Sequence, residues 1–80
     1  MPLKVLLYGP LADALGKQID VEMPEGCSIA ELRERLGDSH PSAALQIDRS
    51  RAIIGSFAVK DDHRITASEQ VEFLPPVSGG

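Results

Sequence analysis

Eighty residues set the scale of one domain, and 42% hydrophobic with 25% charged residues is the balance of a folded chain, not a disordered one. The net charge is −4, the Lys and Arg residues are scattered and aromatics make up 4%, which speaks against a nucleic-acid partner, since that needs a basic stripe and stacking platforms. One cysteine allows no internal disulfide, and no apolar stretch approaches a membrane span, so a cytoplasmic protein with no membrane partner is expected.

Residues 3–8, Leu-Lys-Val-Leu-Leu-Tyr, read as a strand. Leu3, Val5 and Leu7 share an inner face; Lys4 marks the other face as outer, and that leaves Leu6 and Tyr8 pointing outward. Gly9-Pro10 breaks the strand, and Leu11 to Leu15 suit one helical turn closed by Gly16. Residues 18–23 alternate without fault, with Ile19, Val21 and Met23 inward and Gln18, Asp20 and Glu22 outward, which predicts a second strand in a hairpin with the first.

A helix follows. Ser28 is an N-cap with Glu31 placed to complete a capping box, and Cys27 and Leu32 are spaced as a hydrophobic staple. Ile29, Leu32 and Leu36 make its buried face, Glu31 and Arg35 are spaced as an ion pair, and Gly37 is expected to stop it. Pro41 suits the first position of a second short helix through Leu45 and Ile47. Residues 51–59 predict two short strands joined by a tight turn at Gly55-Ser56. A polar loop, a buried Ile65 and a turn at Thr66 to Glu69 lead to a last strand over residues 70–74, with Val71 and Phe73 inward and Gln70, Glu72 and Leu74 outward.

This order predicts an α+β domain over residues 1–74, a mixed sheet with one main helix across one face. The first and last strands are both apolar and should lie side by side in the middle. Leu6, Tyr8 and Leu74 would then form an apolar patch on the uncovered face, the usual mark of a partner surface. Beyond it, residues 75–80 make an extended tail. Pro75 and Pro76 stiffen its root, and Gly79-Gly80 make a tip thin enough for a narrow channel. An ordinary frayed end has the same residue types.

The chain offers no catalytic constellation of its own. Cys27 sits where packing explains it better than reactivity. Asp61-Asp62-His63 are neighbours in a loop with no second cluster to complete a metal site, so no metal is expected. Residues 9–16 lack the Lys-Ser/Thr ending of a phosphate loop. The distinctive group that remains is the carboxylate of Gly80.

The ending Leu74-Pro75-Pro76-Val77-Ser78-Gly79-Gly80 resembles that of the small, sulfur-carrying subunit of molybdopterin synthase. The resemblance is specific in these residues and extends weakly to Leu3-Lys4-Val5-Leu6; where the family usually has Asp-Gly-Asp-Glu, this chain has Ala67-Ser68-Glu69-Gln70. It implies a ubiquitin-like β-grasp fold, in agreement with the element order. It further implies that Gly80 is adenylated by a ubiquitin-activating-enzyme-like adenylyltransferase using ATP, then converted to a thiocarboxylate by a sulfur donor. Val77, Ser78 and Gly79 would thread the tail into the large synthase subunit, which supplies the catalytic residues, and sulfur would pass to the molybdopterin dithiolene. Leu6, Tyr8, Leu74, Pro75 and Pro76 would meet the partner, and the chain itself would bind no cofactor. A thiamin-pathway sulfur carrier and a ubiquitin-like protein modifier are the alternatives to this reading.

Overall fold

The computed structural model describes residues 1–76. Its main helix shows how the fold closes on itself. A helix leaves its first backbone N–H groups without internal acceptors, and each must find one elsewhere. Helix α2 (Ile29–Ser39) satisfies all four. The N–H of Ser28 donates to Glu31 Oε1 at 2.9 Å and that of Glu31 to Ser28 Oγ at 3.1 Å, the predicted capping box. The N–H of Ile29 donates to the carbonyl of His63 and that of Ala30 to the carbonyl of Asp61. The helix start is therefore tied to a loop more than thirty residues downstream. The same loop drops Ile65, fully buried, into the core and returns its N–H to the Cys27 carbonyl at 2.8 Å.

Against α2 lies a five-stranded sheet. Strand β1 (Pro2–Leu7) pairs antiparallel with β2 (Gln18–Glu22), with helix α1 (Pro10–Leu15) in their connection. A short 3-10 turn (Pro41–Ala43) and helix α3 (Ala44–Arg49) lead to β3 (Arg51–Ile54), β4 (Phe57–Ala58) and β5 (Val71–Leu74). The order across the sheet is β2-β1-β5-β3-β4. The first and last strands are adjacent and parallel, as the mixed sheet requires; the other pairings are antiparallel. Gly55 (φ 57°) and Ser56 (φ 72°) form the β3–β4 turn, both with the positive φ that a two-residue hairpin demands. This is the α+β, ubiquitin-like β-grasp arrangement.

The expected inner faces form the core. Leu3, Val5, Leu7, Val71 and Phe73 share one buried cluster with Ile29, Leu32 and Leu36 of α2 and with Ile47 and Ile65. Arg33 caps α3 from outside: its guanidinium donates to the carbonyls of Ile47 and Asp48, pairs with Asp61 at 3.0 Å, and stands 5.2 Å from the centre of the Phe73 ring.

Two expectations for α2 are corrected. Gly37 does not stop the helix, which runs on through Ser39 with His40 as its C-cap. A Cβ built on Gly37 would lie 3.4 Å from the Cβ of Ala44, at the near edge of ordinary van der Waals contact. Glu31 and Arg35 do not pair. Glu31 is committed to the cap and to Arg64 at 3.4 Å, and Arg35 reaches the Glu22 carbonyl on β2 at 2.9 Å.

Candidate functional site: the open face of the sheet and the root of the tail

Strand alternation decides what the uncovered face displays. Leu6, Glu72 and Leu74 alternate with the buried residues of β1 and β5, and Tyr8, one residue past the end of β1, reaches Glu72 on the same face. Register then aligns them. Leu6 stands beside Gln18 on one side and Glu72 on the other, Glu72 beside Ile53, and Ile53 beside Ala58. One row therefore crosses all five strands: Gln18, Leu6, Glu72, Ile53, Ala58. Leu74 stands beside Arg51 in the next row towards the tail. Leu6, Ile53 and Leu74 are half-buried, and Tyr8 is 39% exposed. Leu6, Tyr8 and Leu74 therefore share one face, as expected.

That face also holds a pair the sequence does not announce. The Tyr8 hydroxyl donates to Glu72 Oε2 at 2.6 Å across a separation of 64 residues. This bond to a carboxylate, aided by some burial and by the negative charge itself, raises the Tyr8 pKa above its ordinary value. The phenol stays protonated and remains a donor.

The root of the tail sits at the end of this face. Gly9 has φ 60°, and a Cβ built there would lie 3.3 Å from Pro75 Cγ, so the Pro75 ring is packed over the β1–α1 turn. Pro75 and Pro76, with Pro10, Leu11, Gln46 and Arg49, line a shallow groove of about 250 Å³. A second hollow of about 420 Å³, lined in part by Leu6, Tyr8, Ala12 and Lys17, opens beside α1. The five residues expected to meet a partner thus divide, with Leu6, Tyr8 and Leu74 on the open face and Pro75 and Pro76 at its end beside α1 and α3. Val77, Ser78, Gly79 and Gly80, on which the threading and the chemistry were expected, lie outside the described residues.

The remaining candidates have structural partners. Cys27 is 3% exposed; burial first, and the nearby Glu31 charge second, push its thiol pKa up, so it is a poor nucleophile. Asp61 is held by Arg33, and His63 lies 3.3 Å from Glu69, so the Asp61-Asp62-His63 run is drawn towards different partners. Among the described residues no group of three metal-ligating side chains converges, and no helix is long and apolar enough to cross a membrane.

Comparison with known proteins agrees with this architecture. No curated protein sequence matches the chain. Among solved structures, a molybdopterin converting factor subunit 1 of Pyrococcus furiosus is similar with a TM-score of 0.83 at 20% identity, over 96% of this chain and 99% of the other. The small archaeal modifier protein SAMP1 of Haloferax volcanii is similar with a TM-score of 0.78 at 21% identity, over 100% of both chains. A chain from the complex of subunits 1 and 2 of the molybdopterin-converting factor of Helicobacter pylori gives a TM-score of 0.69 at 16% identity, again over 100% of both. At these identities the likeness is one of fold. The profile of the ThiS family matches residues 5–80, nearly the whole sequence and the Gly-Gly ending with it, and the chain belongs to this family of ubiquitin-like sulfur carriers.

Proposed function

We propose that this chain is the sulfur-carrying small subunit of a molybdopterin synthase, with Gly80 as the atom-bearing end and the open face as the grip for its partners. The observation that carries this reading is where the tail takes root. Strand β5 is the middle strand, and Leu74 ends it on the same face as Leu6 and Tyr8. A partner that covers this face therefore meets the tail as it leaves. Proline at 75 and 76 restricts the backbone at the root of the tail, and Gly79-Gly80 can enter a channel too narrow for side chains.

The chemistry follows from the weakness of a carboxylate as an electrophile. A carboxylate oxygen of Gly80 attacks the α-phosphorus of ATP in an adenylyltransferase; the bond to pyrophosphate breaks and an acyl-adenylate forms. A sulfide equivalent from a sulfur donor then attacks the acyl carbon, the C–O bond breaks, and AMP leaves with its electron pair. The thiocarboxylate so formed is easily hydrolysed, so the large synthase subunit must exclude water where the sulfur is delivered. The carrier's own residues orient and present; they do not catalyse.

One added residue after Gly80 tests this directly. It moves the carboxylate away from the position that both partners must reach. Sulfur transfer in a reconstituted reaction with adenylyltransferase, sulfur donor and large subunit should be abolished, while circular dichroism and thermal midpoint stay unchanged. Full transfer by the extended chain would contradict the mechanism. Conjugates of higher mass with lysine-bearing proteins, in place of transfer, would mark a modifier instead.

A further inference from the structure

We propose that Glu72 is a specificity charge on the open face, and that the partner covering this face sets an arginine or lysine side chain against it. This rests on the open face being the docking surface, and it goes further by naming the chemistry of what docks. Glu72 lies on the central strand with Leu6 beside it on one side and Ile53 on the other. It is already half-buried in the free chain. Among the described residues its side-chain hydrogen bond is the one from Tyr8, at 2.6 Å. Among the described residues it forms no ion pair: the cations that are paired meet Glu22, Asp61, Glu69 and Glu31. Lys4 and Arg51 stand one row away on the same face, and neither pairs with it.

A carboxylate can sit in that row because water still reaches it. A purely apolar partner surface would strip the water and leave a charge with one neutral donor, which is strongly unfavourable. A partner with a cation at this point turns the penalty into a directed contact, with Tyr8 fixing the carboxylate in place. Partners with a neutral or acidic patch there are rejected by the same charge. A net charge of −4 on the carrier favours approach by a basic surface in the same sense.

The test is the affinity of the wild-type chain, Glu72→Gln, Glu72→Lys and Leu6→Asp for the large synthase subunit, each titrated at low and high salt. Gln has the shape of Glu and still accepts the Tyr8 hydroxyl, so the fold is retained, which the thermal midpoint checks. Wild-type affinity should fall with salt. Glu72→Gln should bind about 10-fold more weakly or worse, with a flatter salt dependence, and Glu72→Lys more weakly still. If Glu72→Gln binds as well as wild type while Leu6→Asp destroys binding, the face docks but the cation is absent, and this proposal alone fails. If Leu6→Asp also binds as wild type, the docking face itself is wrong and both fail. A wild-type affinity indifferent to salt contradicts the proposal without any variant.

Discussion

Gly9 is the residue against which the root of the tail packs. Its φ of 60° is a conformation most side chains avoid, and a Cβ there would crowd the Pro75 ring at 3.3 Å, so the ring would have to give slightly. Gly9→Ala should therefore destabilise the chain by about 1–2 kcal/mol in a denaturant titration. It should also weaken partner binding by more than that loss explains, since the root of the tail is displaced. An unaltered midpoint would show that the turn carries no such constraint. Neither this contact nor the Tyr8–Glu72 bond could be read from the sequence. Both join residues more than sixty positions apart, and strand alternation says only which face a side chain takes, not its neighbour there. The outward placement of Leu6, Tyr8 and Leu74 was legible because it needs only that alternation.

Among the elements, α2 separates what local rules decide from what packing decides. The capping box is local, and Ser28 and Glu31 form it as spaced. The Gly37 stop and the Glu31–Arg35 pair are also local expectations, and neither forms: the helix runs on through Gly37, and Arg35 turns to the backbone of β2. Gly37→Ala distinguishes the two roles. In a helix interior the change should stabilise by up to about 1 kcal/mol. A stop in the left-handed conformation would instead lose stability.

The cap also sets a pH dependence. Hydrogen bonds from Ser28, backbone and side chain, hold the Glu31 pKa below the ordinary range, with a smaller contribution from the Arg64 charge. The Thr66 backbone N–H, followed by His63, does the same for Glu69. A carboxylate whose folded pKa is depressed stabilises the fold above its unfolded pKa of about 4.3 and loses that contribution as pH falls towards the folded value. The thermal midpoint should drop below about pH 4.3, and the drop should be shallower in Glu31→Gln, which keeps the box but cannot titrate. An identical acid slope in the variant would remove Glu31 from the account.

At the scale of the whole molecule, the sheet has two faces with two tasks. One is covered by α2 and holds the core. The other is left open and carries half-buried apolar side chains, a central carboxylate and the root of a tail. Secondary-structure order and the side-by-side placement of the first and last strands were accessible to sequence reasoning, because both strands are apolar and frame the chain; their parallel orientation is given by the structure. The interplay of the downstream loop with the start of α2 was not, because backbone carbonyls leave no trace in residue type.

The central claim is that all of this serves the carboxylate of Gly80. Its most direct test is the intact mass of the chain after incubation with ATP, the adenylyltransferase and a sulfur source. The account predicts a mass gain equal to one oxygen replaced by one sulfur, located to Gly80 by fragmentation and absent without ATP. A chain whose mass is unchanged under conditions that load an established carrier would contradict it.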